Sequence, residues 1–184
     1  MGINKKRPLW APWRIKFITS EKTGKCFLCE KKKWFDSEEE DLVIARGKHV
    51  FAILNRYPYN SGHVMIAPYA HVNDLPLLDK KTLHELMDMT VKVEKTILRS
   101  MHPQGFNVGF NLGSAAGAGL ENHIHLHIVP RWIGDTNFMP VLSDTRVVPQ
   151  ALSETAAFLR AEWKKGFASN QSSVVSRQSS VVSR

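Results

Sequence analysis

Apolar and polar positions along the chain fall into short, recognisable periods. His123–Val129 alternates strictly, which is the pattern of a half-buried strand. The short apolar runs Leu42–Ala45, Phe51–Leu54, His63–Pro68 and Phe106–Asn111 also predict strands. The first two are separated by a turn-like Arg46-Gly47-Lys48, and the Asn/Pro/Gly-rich Asn55–Gly62 reads as a loop. From Lys80 to Ser100 the pattern changes. Leu83, Leu86, Met87, Val93, Ile97, Leu98 and Met101 recur near helical spacing, with Asp79 placed to cap the N-terminus, so a long amphipathic helix is predicted. Val148–Lys165 predicts a C-terminal helix containing Leu152, Leu159 and Trp163. Little length is left between strands for parallel crossovers. The expected class is therefore α+β, a mainly antiparallel sheet of about five strands with one long helix and a C-terminal helix.

The 184 residues suit one domain, expected over residues 1–168. Residues 1–40 read as an N-terminal arm: Lys5–Ile18 is aromatic and basic, and Phe35–Asp41 is an acidic loop. Gln171–Arg177 (QSSVVSR) is repeated letter for letter in Gln178–Arg184, which predicts that residues 169–184 are a polar tail outside the fold, disordered or appended. Gly113–Gly119 is a Gly/Ala/Ser loop.

Charge narrows the partners. The net charge is +8 and the pI is near 9.6, which favours polyanions. Much of the surplus sits at Lys5, Lys6, Arg7 and Lys31 to Lys33, so nucleic acid is disfavoured and small anionic ligands remain. No apolar run approaches the roughly 20 residues of a membrane helix. The basic N-terminus leads into Trp10-Ala11-Pro12-Trp13-Arg14 rather than an apolar core, which predicts a cytoplasmic protein without membrane association. Cys26 and Cys29 form a Cys-x-x-Cys, and in that setting metal or redox chemistry is favoured over a structural disulfide.

The candidate chemistry centres on His123, His125 and His127. On a regular strand they would share one face, with Ile124, Leu126 and Ile128 on the other. Imidazoles so grouped can ligate a transition metal, donate hydrogen bonds to phosphate, or supply a nucleophile, since a pKa of about 6.5 leaves the ring largely neutral at pH 7. His49, His84 and His102 read as surface residues, and Trp10, Trp13 and Trp132 as packing residues rather than base-stacking ones.

The run His123-Ile-His125-Leu-His127-Ile128-Val129 resembles the signature of the histidine triad (HIT) superfamily. Phe51–Asn55 followed by Gly62–Pro68 resembles the nucleotide-pocket strands of that family, and Cys26-Phe-Leu-Cys29 its N-terminal zinc knuckle. Leu9–Arg14, Asn107–Gly119 and Pro130–Pro140 are similar to the bacterial branch related to diadenosine tetraphosphate phosphorylase.

That resemblance implies a HIT-like fold and a covalent mechanism in which His125 attacks the α-phosphorus of a nucleotide. His123 would orient it through its backbone carbonyl, and His127 and His63 would donate to phosphate oxygens. Asn55 would meet the ribose, although a turn role serves it equally. Asn111 would touch the phosphate or leaving group, and Gly113, Ser114, Gly117 and Gly119 would offer backbone N–H groups to it. A structural zinc would be held by Cys26, Cys29, His71 and His123. The resemblance also implies at least a homodimer, formed through the long helix and a strand edge.

Two departures bear on the reaction. Ala118-Gly119-Leu120-Glu121 stands where hydrolytic relatives carry Gln-Ser/Thr-Val, and His127 stands where many phosphorylases carry Gln. Phosphorolysis of diadenosine tetraphosphate to ADP and ATP is the first expectation, with inorganic phosphate as second substrate. Hydrolysis of dinucleoside polyphosphates or nucleoside phosphoramidates by water is the second. A non-catalytic nucleotide-binding module is the alternative of another class. A divalent cation such as magnesium would accompany the polyphosphate.

Overall fold

The computed structural model describes residues 26–30, 42–135 and 151–179, with side chains to residue 166. Expectations for Lys5–Ile18, Phe35–Asp41, Trp10, Trp13 and the segment after Asp135 lie outside the described residues. The elements are α1 (Phe27–Glu30), β1 (Val43–Arg46), β2 (Val50–Leu54), β3 (Val64–Pro68), α2 (Lys80–Met101), β4 (Gly105–Phe110), β5 (Leu126–Arg131) and α3 (Leu152–Ser179), with single 3-10 turns at Leu75–Leu77 and Ser114–Ala116.

The five strands form one antiparallel sheet in the order β1-β2-β3-β5-β4. α2 packs on β2, β3 and β5, and α3 packs on α2 and β1. The register aligns Ile53 with Met65, Met65 with His127 and His127 with Gly109, so these residues share one face. Ala52, Ile66 and Leu126 align on the other. β2 and β3 are buried at every position, so the sheet is covered on both faces at its centre.

α2 starts as its sequence dictates: Asp79 is extended and its carboxylate accepts from the Thr82 N–H at 2.7 Å. It ends at His102, which takes the left-handed conformation at φ 49°. Its buried stripe differs from the expected one. Leu86, Val93 and Ile97 are buried as predicted, but Met87 and Leu98 face outward, and Thr82, Met89, Thr90 and Thr96 are buried instead. The threonines tolerate burial because the Thr90 and Thr96 hydroxyls donate to the carbonyls of Leu86 and Lys92 one turn back. Met87, Val91 and Leu98 form a second, exposed apolar stripe.

Two boundaries correct the sequence reading. α3 begins at Leu152 and runs to Ser179, beyond the expected end at Lys165. No proline interrupts 150–184, so the backbone ladder has no forced stop at Lys165. The strand expected from His123 begins at Leu126. His123–His125 leave the ladder because the Ile124 N–H donates to the Val72 carbonyl at 2.7 Å. The His123 ring likewise turns to the Pro68 carbonyl at 2.9 Å.

Candidate active site

The loop 55–62 reverses the chain between β2 and β3 and carries one side of the site. Asn55 accepts from the Tyr57 N–H at 2.9 Å, an Asx turn that fixes the loop's first bend. At its far end Gly62 has φ 70°, and a Cβ there would lie 2.8 Å from the Met101 sulfur, so conformation and space both call for glycine. Asn60 donates to the Pro130 carbonyl at 3.1 Å and to Asp135 at 2.9 Å, tying the loop to the end of β5. Asp135 in turn pairs with Arg131.

The histidines are ordered by backbone groups whose polarity is fixed. The His125 Nδ1 sits 2.9 Å from the His123 carbonyl. A carbonyl only accepts, so Nδ1 carries the proton and Nε2 the lone pair. Burial pushes the His125 pKa below the ordinary histidine value against the opposing effect of that carbonyl, which keeps the ring neutral and nucleophilic. The Tyr59 N–H donates to His63 Nδ1 at 3.0 Å, so His63 carries its proton on Nε2. That nitrogen lies 3.0 Å from His127 Nδ1 and donates to it, which leaves His127 with an Nε2–H donor. Asn111 Nδ2 lies 3.5 Å from that Nε2, and because both nitrogens then donate, the two are neighbouring donors facing the cavity and not a hydrogen-bonded pair. Tyr59 stacks on His63 at a centroid distance of 4.9 Å and an interplanar angle of 19°. The His125 and His127 rings meet edge-on at 4.8 Å.

His125 and His127 line a cavity of about 310 Å³ on the sheet face that bears Ile53 and Met65. Phe27, Leu42, Ile53 and Leu54 make an apolar wall, while Asn55, Arg56, Tyr57, Tyr59 and Asn111 supply polar or amphipathic groups. Of the glycine loop only Gly119 lines the cavity, together with Leu120. Gly113, Ser114 and Gly117 are exposed outside it. Gly113 and Gly117 have φ 75° and 78° with open space around them, so the turn conformation alone accounts for glycine at both. His63 is also outside the lining: it is fully buried, with both ring nitrogens engaged. Its ring contacts His127 and not the cavity.

The wall residues Phe27 and Leu42 and the loop residues Arg56, Tyr57 and Tyr59 did not stand out in the sequence. Asn55-Arg-Tyr-Pro-Tyr-Asn60 was the available signal, an aromatic-rich loop where a merely structural one would be small and polar. Of the remaining histidines, His84 and His102 are exposed and His49 is half-buried, and none lines the cavity. Trp132 is half-buried and away from it.

His123 belongs to a second cluster. Its Nε2 faces the Pro68 carbonyl, so Nδ1 carries the lone pair. Nδ1 lies 3.2 Å from Cys26 Sγ and 3.6 Å from Cys29 Sγ, and His71 Nδ1 lies 3.2 Å from Cys29 Sγ. All four ligand atoms fall within 4.8 Å of one another. Zn–S near 2.3 Å and Zn–N near 2.0 Å imply tetrahedral edges of roughly 3.3–3.8 Å. The donor set and spacing therefore fit a Cys₂His₂ metal site. The triad is thus split: His123 turns to the cysteines, and His125 and His127 turn to the cavity.

An antiparallel α+β fold with paired histidines over a cavity and a third histidine beside two cysteines defines a protein of the histidine-triad class. A family described as the HIT domain matches residues 36–132, more than half of the chain, and the chain belongs to it. It is 48% identical over 129 residues to the AP-4-A phosphorylase of Mycobacterium tuberculosis, a match covering 70% of this chain and 66% of that one, just under two thirds. It is 33% identical over 89 residues to a bis(5'-nucleosyl)-tetraphosphatase (asymmetrical) of Schizosaccharomyces pombe, covering 48% of each. Among solved structures, a Zn-bound histidine triad family protein from Mycobacterium smegmatis is similar with TM-score 0.64 and 26% identity, covering 79% of this chain and 98% of that chain. Among the described residues no helix is long and apolar enough to cross a membrane.

Proposed function

We propose that this chain transfers a nucleotidyl group from a dinucleoside polyphosphate through a covalent intermediate on His125. One observation carries the reading. His125 has Nδ1 tied to the His123 carbonyl, is held neutral by burial and lines a nucleotide-sized cavity beside His127. Nε2 attacks the α-phosphorus, a P–N bond forms, and the bond to the bridging oxygen breaks to release the nucleoside polyphosphate. The second acceptor then attacks the same phosphorus, breaks the P–N bond and returns the lone pair to Nε2. The His127 Nε2–H donates to a non-bridging oxygen and offsets charge there as it develops. The apolar wall of Phe27, Leu42, Ile53 and Leu54 takes the base, Asn55 faces the ribose, and Asn111 faces the leaving group. A divalent cation such as magnesium would accompany the polyphosphate.

With diadenosine tetraphosphate as substrate, phosphate as acceptor gives ADP and ATP, and water gives AMP and ATP. The likeness to the mycobacterial phosphorylase favours phosphate. Chromatography of products formed with and without inorganic phosphate tests this. ADP appearing only with phosphate is the expected result, AMP in both cases would indicate a hydrolase, and no product at all would leave a binding module.

The Cys26, Cys29, His71 and His123 cluster would hold a structural zinc. The chain is further proposed to form a homodimer. The apolar stripe Met87, Val91 and Leu98 is exposed, and β4, which among the described residues pairs only with β5, exposes Val108 at the sheet edge. Sedimentation should give a dimer, and Leu98→Glu together with Val108→Lys should shift it to monomer. A wild-type monomer at micromolar concentration would refute the dimer.

A further inference from the structure

Two features that the cavity needs converge on the Cys/His cluster. First, the group that orients His125 is the backbone carbonyl of His123, whose own ring points at Cys26 and Cys29. Second, α1 is a single turn of four residues that carries both the ligand Cys29 and the cavity-lining Phe27 and Glu30. One turn has no helical stability of its own and stays in place only through what anchors it. Among the described residues the cluster joins α1, the turn after β3 through His71, and the segment entering β5 through His123.

We propose that a borderline-soft divalent metal at Cys26, Cys29, His71 and His123 assembles the cavity as well as the fold. The metal fixes the carbonyl that orients His125 and docks the wall bearing Phe27 and Glu30. The four ligands are then positioning residues for the nucleotide site, acting through His123 and α1. This rests on reading the cavity as a nucleotide site. The competing anchor is Leu28, fully buried on the same turn, which by apolar contact could hold α1 without metal. The His123 ring has its own tie to the Pro68 carbonyl. If those two contacts suffice, metal removal leaves the cavity unchanged.

The test uses the full chain loaded with zinc, stripped with a chelator, and reloaded. AMP binding is followed by calorimetry, and the His125 Nδ1–H by nitrogen-correlated NMR of the histidine rings, with circular dichroism to show that the chain remains folded. One zinc per chain is expected. Stripping should weaken AMP binding about tenfold, on the order of the loss in metal affinity or activity when the groups that hydrogen-bond a metal's ligands are removed, and should expose the His125 N–H to rapid exchange. Reloading should restore both. His71→Ala removes an exposed ligand without touching Leu28 or the cavity, and should behave as the stripped protein does. If stripping unfolds the chain, His71→Ala decides by the same two measurements. Unchanged AMP affinity and a protected His125 N–H in folded, metal-free protein would overturn the inference, as would failure of the chain to bind zinc. If the loaded chain does not bind AMP while the His125 N–H still responds to zinc, the nucleotide reading falls and the metal coupling stands.

Discussion

Replacing His125 with alanine should lower turnover of diadenosine tetraphosphate by about 10⁴- to 10⁶-fold, the loss typical of removing a nucleophile. Nucleotide affinity should change little, because the apolar wall and His127 remain. The reason is the tautomer. With Nδ1 donating to the His123 carbonyl at 2.9 Å, Nε2 is the ring's lone-pair nitrogen, and no other cavity-lining residue among those described presents a comparable neutral nucleophile. Rapid quenching of the wild type should trap one nucleoside monophosphate on the chain, located by mass spectrometry at His125 and absent from the variant. Turnover within tenfold of wild type in His125→Ala would remove the covalent mechanism.

His63→Phe should lower turnover by roughly 10²- to 10³-fold, the scale of losing one preorganised donor to a transition-state oxygen. His63 does not line the cavity, so the effect is indirect. Phenylalanine preserves the stack with Tyr59 but can neither accept from the Tyr59 N–H nor donate to His127 Nδ1. His127 then loses the contact that leaves its proton on Nε2. The Tyr59 N–H also loses its acceptor, which should cost about 1–3 kcal/mol of stability. Single-turnover kinetics and thermal melts separate the two consequences. A slower chemical step with unchanged AMP affinity is expected, and His63→Gln, which keeps a donor and an acceptor, should recover part of the rate. Equal rates in wild type and His63→Phe would show that His127 needs no such support.

The second prediction depends on a contact that periodicity does not encode. The five strands, the long helix and the Asp79 cap were readable because each depends on neighbours within a few residues: alternation, helical spacing, a capping carboxylate. The same local reading erred on α2, where it counted apolar residues and overlooked threonines that satisfy their own hydroxyls within the helix. It erred again at His123–His125, where two-residue alternation looked like strand although the Val72 and Pro68 carbonyls draw the segment out of the ladder.

By itself the sequence narrowed the chemistry to a few classes, since three histidines at alternate positions and a Cys-x-x-Cys restrict what such a chain can do. It also determined the five strands and the long helix, because those follow from local periodicity, but not the four-residue α1. Only the tertiary structure decided how the histidines divide their work. Cys26 and His123 stand 97 positions apart, and His63 and His127 stand 64 apart. Contacts at that separation arise from strand order, which places β5 beside β3 and not beside its neighbour in the chain alone. The direction of each hydrogen bond, and so which nitrogen holds a proton and which a lone pair, follows from the backbone groups that this order brings within reach.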